Sequence, residues 1–208
     1  MNPPSLSTLS LSLEQGIAEI RLNRPDKSNA MNDAMWQEIR QAFDWVDATP
    51  EARVAILSGA GRNFCAGIDL TLLAGIQQRI AHPDAARSRE ALRRLILDLQ
   101  DCLSSVERCR KPVLAAIQGA CIGGALDLVT SCDMRYAAAD AVFSVREIDL
   151  GMVADVGTLQ RLPRLIPEGA ARELAFTGRN FRAEEGERLG LINRVFASNE
   201  ALTAAVRE

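Results

Sequence analysis

Apolar and polar residues alternate along residues 7–13 and again along 17–22, on either side of Glu14, Gln15 and Gly16. A period of two on both sides of a glycine turn predicts a β-hairpin. The period then lengthens. Met35, Ile39, Phe43 and Val46 recur at helical spacing behind Asn32, a capping residue, so a helix is expected from there to about Asp47. Val54 to Leu57 is a short apolar run, the mark of a buried strand. Residues 70–91 are polar and alanine-rich with Pro83, which predicts a short helix and a crossover. From Ser88 to Cys109 a second helix follows, with Leu92, Leu95, Ile96, Leu99, Leu103 and Val106 in one stripe. Arg93, Arg94, Asp98 and Asp101 cover its other face and read as solvated.

Val113 to Ile117, introduced by Pro112 and closed by Gly119, is a strand buried on both faces. With the strand at 54 and the long helix it makes a right-handed crossover unit. Gly123 and Gly124 then open a helix over residues 125–132, and Ala141 to Val145 is a further apolar run. Helices are expected over 158–165, 168–176 and 183–190, with LINRVF as a closing strand. Strands alternating with helices of this length predict an α/β domain.

The chemistry concentrates between Lys111 and Gly157. A helix opened by Gly123 and Gly124 leaves its first backbone N–H groups open to an oxygen carrying negative charge. The same glycines also suit plain close packing of helix on strand. Asp127 falls in the first turn of that helix between Leu126 and Leu128. Glu147 and Asp155 lie beyond the apolar run, Asp155 within the loop GMVADVG. Singly, each acid reads as a surface carboxylate. Together, three acids among apolar neighbours point to acid/base chemistry beside an oxyanion pocket. The loop SGAGRNFCAGIDL after the strand at 54 is rich in glycine and offers a second backbone donor for such a pocket.

Composition removes other chemistries. The net charge is −3, with no basic stripe interleaved with aromatics, which argues against a nucleic-acid or anionic-membrane partner. The start, MNPPSLSTLSLSL, lacks the pattern of a leader, and no run reaches the roughly 18 apolar residues of a membrane span, so a cytoplasmic protein is expected. The five cysteines contain no C-x-x-C pair and read as reduced, buried small residues; Cys65 beside the glycine loop has no histidine to activate it. The single histidine, His82, sits in a polar stretch and supports neither a metal site nor a Ser-His-Asp triad.

RPDKSNAMN at 24–32, FCAGIDL at 64–70 and KPVLAAIQGACIGGALDLVTSCDMRYA at 111–137 resemble the crotonase (enoyl-CoA hydratase/isomerase) superfamily. VREIDLGMVADVGTLQRLP at 145–163 is most similar to its Δ3,5-Δ2,4-dienoyl-CoA isomerase branch. The resemblance implies a crotonase-like ββα-superhelix spiral with helices packed around stacked sheets, built from a core over residues 1–197. Residues 198–208 would begin a C-terminal helical region that is cut short. It implies that backbone N–H groups of Ala66 and Gly124 hold a thioester oxygen and that Gly67, Ile68, Asp69 and Leu70 line the acyl and pantetheine path. Lys27, Ser28 and Ala30 would border the CoA nucleotide. Asp127 and Glu147 match the two acids of the hydratases, and Asp155 the extra acid of the dienoyl isomerases.

The activity implied is a shift of 3,5-dienoyl-CoA to 2,4-dienoyl-CoA in fatty acid β-oxidation, by carboxylates that move protons between C2 and C6. Glu147 is assigned to C2 and Asp155 to C6 by resemblance, with Asp127 tuning Glu147. No metal or separate cofactor is implied, CoA being part of the substrate, and a homotrimer or hexamer is expected. The rivals are an enoyl-CoA hydratase, for which Asp127 is one methylene short, and an inactive crotonase-like binding protein.

Overall fold

A computed structural model describes residues 3–208. The hairpin forms as β1 (Leu9–Glu14) and β2 (Ile17–Leu22), paired antiparallel with Gln15 and Gly16 at positive φ in the turn. β1 starts two residues later than the alternation predicts. The cause is Glu38, whose carboxylate accepts the N–H groups of Ser7, Thr8 and Leu9 and both hydroxyls of Ser7 and Thr8 at 2.6–3.2 Å. Glu38 belongs to α1 (Asp33–Ala48), which Asn32 caps by accepting the Met35 N–H. Burial pushes the Glu38 carboxyl up, but the donors from Ser7 and Thr8 outweigh it and hold the group below its ordinary value of 4.5. The stability it lends is therefore complete above that value and lost as pH falls through the lower folded one. Glu38→Gln is expected to cost about 1–3 kcal/mol in urea unfolding at pH 7, because buried donors lose a charged acceptor.

After α1 the chain winds in repeating turns, each placing one strand in a large sheet, one short strand in a smaller sheet, and helix outside. β3 (Val54–Gly59) is followed by an isolated bridge at Cys65, then by α2 (Leu70–Arg79) and α3 (Ala85–Arg108). β4 (Val113–Ile117) is followed by β5 (Ala120–Ile122) and α4 (Gly124–Thr130). β6 (Met134–Ala138) is followed by β7 (Val142–Ser144), a short 3-10 turn, α5 (Thr158–Leu165) and α6 (Glu168–Thr177). β8 (Phe181–Arg182), α7 (Ala183–Leu189), β9 (Arg194–Phe196) and α8 (Asn199–Arg207) complete the chain. The large sheet runs β1-β2-β3-β4-β6-β9, parallel from β2 onward, and the small one β5-β7-β8. This is the expected ββα spiral.

Several expected boundaries shift for local reasons. α3 begins at Ala85, three residues early, because Asp84 caps it through the Ala86 N–H. LINRVF pairs only over Arg194–Phe196, since the Leu191 and Ile192 N–H groups bond back to the carbonyl of Gly186 within α7. β5, β6 and β8 carry no strong period of their own, so the sequence pattern does not mark them. The core lies between the large sheet and α1, α3 and α4, with Trp36, Phe43, Phe64 and Phe143 fully buried. Each such side chain contributes about 1.5–3 kcal/mol relative to exposure. α8 lies on the opposite face of the sheet, where Leu202 and Val206 close a second small cluster with Ile56, Ala116 and Ala138.

Candidate active site

The bridge pairing Cys65 with Cys121 lays the loop after β3 beside β5 and so against the start of α4. Two glycines permit the approach. Gly67 has φ +94, and a Cβ there would lie 2.6 Å from the Ile122 carbonyl. Gly123, the residue before α4, has φ +56, and a Cβ there would lie 3.2 Å from Glu147 Oε1. Gly123→Ala is accordingly expected to lose about 1–2 kcal/mol of stability from backbone strain alone, read by denaturant unfolding, and to push the Glu147 carboxyl aside.

The backbone donors can be assigned one by one. The Gly124 N–H has no partner among the described residues, as the opening of a helix requires. The Ala66 N–H, expected to be the second free donor, instead donates to the Ser28 carbonyl at 2.9 Å. That of Asp69 donates to Met31 at 3.0 Å, and that of Gly67 meets Cys65 Sγ at 3.4 Å. Ile68 between them has an N–H with no partner among the described residues, and its nitrogen lies 3.8 Å from where a Gly124 Cβ would stand. The pair of free, facing donors is therefore Ile68 and Gly124. Ala66 is corrected: its N–H is spent in holding the loop. Sequence spacing could not separate the two, because which amide is free depends on the register of Met31 beside Ile68.

This donor pair stands where two cavities meet. One, of about 410 Å³, is apolar and runs between α1, α2 and α3; Trp36, Leu73, Ile76, Leu92, Ile96 and Leu99 form its walls. The other, of about 400 Å³, is lined by Ala30, Ala66, Gly67, Leu70, Arg146 and Leu150. Ile68, Gly124, Glu147 and Met152 belong to both, and Asp155 to the first alone. Donors and Glu147 thus stand at the junction, and Asp155 on the side of the apolar cavity.

Asp127 sits behind this junction, fully buried, which removes the surface reading. Its Oδ1 accepts the Thr158 N–H at 2.5 Å, at the N-terminus of α5. Asp127 Oδ2 and Glu147 Oε2 are both buried with no hydrogen-bond partner among the described residues. Burial raises the Asp127 carboxyl to about 6, against the pull of the Thr158 donor. Burial, then the charge of Asp127, raises Glu147 to about 7. Burial also raises Asp155 above its ordinary value. Near neutrality such a group holds carboxylate and carboxylic acid side by side, titrating together.

The other expected residues divide. Ala30, Gly67, Ile68 and Leu70 reach the cavities, whereas Lys27, Ser28 and Asp69 line neither. Lys27 is exposed in a 3-10 turn. Ser28 supplies the carbonyl that holds Ala66 and a hydroxyl that accepts from Asn63. Asp69 caps α2 through the Thr71 N–H and pairs with Arg24 at 3.0 Å. Trp36, Met152 and the stripe on α3 were missed as site residues, since an apolar cavity wall and a packed core share one sequence pattern. Cys65 is fully buried, and burial pushes its thiol up to about 12, leaving it unreactive. Among the described residues no group of His, Cys, Asp and Glu is placed to hold a metal ion, and no helix is long and apolar enough to cross a membrane.

The family model for enoyl-CoA hydratase/isomerase matches residues 12–208. The peroxisomal Delta(3,5)-Delta(2,4)-dienoyl-CoA isomerase of Arabidopsis thaliana is 44% identical over 97% of this chain and 73% of its own length. The mitochondrial Delta(3,5)-Delta(2,4)-dienoyl-CoA isomerase of Homo sapiens is 45% identical over 93% of this chain but 60% of its own. This chain thus spans between 60% and 73% of the length of those two relatives. Among solved structures, an enoyl-CoA hydratase/isomerase from Marinobacter aquaeolei superposes with a TM-score of 0.87 at 30% identity, covering 96% of this chain and 74% of that one. With the spiral of paired strands and the glycine-built donor pair, these likenesses establish that the chain belongs to the enoyl-CoA hydratase/isomerase family.

Proposed function

We propose that the chain isomerises a 3,5-dienoyl-CoA to the 2,4-dienoyl-CoA. The observation that carries the reading is the placing of groups along the cavities: the free N–H groups of Ile68 and Gly124 and the Glu147 side chain where the two cavities meet, and Asp155 in the apolar one alone of the two. A thioester oxygen held by the two donors sets C2 beside Glu147 and extends the dienoyl chain into the apolar cavity toward Asp155. Glu147 as carboxylate takes the proton from C2. The electron pair spreads over the diene into an extended dienolate whose charge rests largely on the thioester oxygen, where preorganised donors count most. Asp155 as carboxylic acid then delivers a proton to C6.

Asp127 shapes this chemistry from behind. Burial and the charge of Asp127 hold the Glu147 carboxyl near neutrality, where a base is both available and strong enough. Hydration needs a water held between two free carboxylates at the 127 and 147 positions. Asp127 is poorly suited to that role, because one oxygen is committed to the Thr158 N–H and the side chain is wholly enclosed. The relatives named as dienoyl isomerases support the same reading.

The proposal extends to fatty acid β-oxidation as the setting, to catalysis without a separate cofactor, and to a homotrimer or hexamer. A cytoplasmic location is proposed too, although the two relatives above are named peroxisomal and mitochondrial. Mass spectrometry of a 3,5-dienoyl-CoA and a 2-enoyl-CoA incubated with the protein separates the alternatives. We expect an isomer of unchanged mass from the first and little product one water heavier from the second; the reverse result would make the chain a hydratase.

A further inference from the structure

Asp155 borders a second space that the isomerisation itself does not use. Besides the apolar cavity it lines a polar cavity of about 330 Å³, together with Gln100, Ser104, Glu107, Gln160 and Arg161. No other acid of the active site reaches it: Glu147 opens on the two acyl-side cavities and Asp127 on none of the three. The polar cavity is held open by bonds between the helices that form it. Arg161 of α5 pairs with Glu107 of α3 at 2.8 Å, reaches Ser104 Oγ at 3.2 Å and the Val156 carbonyl at 3.4 Å. Gln100 of α3 donates to the Asp155 carbonyl at 2.5 Å, fixing the backbone that carries the acid. A side chain at Gly157 would collide with the Arg161 guanidinium.

This inference rests on the isomerase reading and concerns how the acids are reset. Each turnover leaves Glu147 with the C2 proton and Asp155 without the one given to C6, so before the next cycle one proton must leave the first and one must enter the second. We propose that the polar cavity is the route by which Asp155 regains its proton from bulk water, while Glu147 discharges on the acyl side once product has left. Of the three acids only Asp155 has this second outlet. Asp155 can then be recharged without a water entering the apolar cavity, where it would compete as a nucleophile or quench the dienolate. The charged groups that line this cavity with Asp155 are Glu107, Arg161 and Arg164; Glu147 lines the apolar cavity with it, and the Asp127 carboxyl lies within reach of its charge.

The test compares first and later turnovers. Ser104→Leu from the α3 wall and Gln160→Leu from the α5 wall each place an apolar side chain in the polar cavity without touching the acyl path. With the enzyme in excess over 3,5-dienoyl-CoA, the single-turnover rate is expected to stay within about twofold of wild type, since Asp155 starts protonated. Under saturating substrate the steady-state rate is expected to fall about tenfold or more, as loss of an efficient proton transfer does. Ser104→Thr, which keeps the hydroxyl, is expected to restore it. Equal steady-state rates in wild type and both leucine variants would overturn the route. So would a first turnover slowed as much as the later ones, because the cavity would then only support the fold. An absence of 2,4-dienoyl product from wild type itself would instead remove the isomerase reading on which the inference stands.

Discussion

Asp155→Asn is expected to abolish conversion of a 3,5-dienoyl-CoA and to leave the fold intact. The replacement is nearly isosteric and keeps the Asp155 carbonyl that Gln100 grips, so unfolding free energy should change by no more than about 0.5 kcal/mol. What it removes is the proton for C6, and loss of a general acid costs about 10²–10⁴ in rate. Glu147 and the two donors are untouched in this variant. Exchange of the C2 hydrogen with deuterated water, followed by NMR, should therefore continue. Full isomerase activity in Asp155→Asn would take the residue out of the mechanism, and loss of C2 exchange along with turnover would mean that it acts earlier than C6.

Glu147→Gln is expected to lose both activities at once. With the base gone, C2 exchange and isomerisation should each fall by about 10²–10⁴. Two pH effects go with it. Because Glu147 sits near 7, wild-type kcat/KM should decline as pH drops below that value and the base takes up its proton. The stability effect has the opposite sense to that of Glu38. A carboxyl raised from 4.5 to about 7 keeps its proton in the folded state after the unfolded chain has lost it, so its contribution to stability is full below 4.5 and is lost as pH rises through 7. Glu147→Gln removes that decline and should unfold at higher urea than wild type at pH 8. An unchanged acid limb in kcat/KM, or equal stabilities at pH 8, would contradict the burial and coupling assigned to this group.

The elements with a sustained period were legible in the sequence because burial on one side is all they require. α1 is capped by Asn32 as expected, the hairpin has its glycine turn, and β4 occupies the predicted residues 113–117. Two short strands of the small sheet were not legible, since β5 and β8 are three and two residues long and are held by pairing rather than by their own pattern, whereas β7 lies inside the apolar run 141–145. The three acids were legible as a group, but that Asp127 is enclosed while Glu147 and Asp155 are half-buried along a cavity needed the fold. Asp127 is enclosed because α5 arrives from more than thirty positions downstream to place Thr158 against it.

The backbone donors were the hardest part to read. Ala66 and Ile68 are both near a glycine and differ only in where their N–H groups point. That is decided by Ser28, which takes the first, and by the bridge of Met31 to Ile68, which leaves the second free. The apolar stripe on α3 posed the same difficulty in another form: residues that would fill a core in one packing wall a cavity in this one.

Ultraviolet absorbance of the purified protein mixed with a 3,5-dienoyl-CoA tests the proposed activity most directly. Growth of the 2,4-dienoyl chromophore is predicted for wild type and its absence for Asp155→Asn, with a 2-enoyl-CoA left essentially unhydrated by either. No chromophore from wild type, or hydration of the 2-enoyl-CoA in its place, would contradict the assignment.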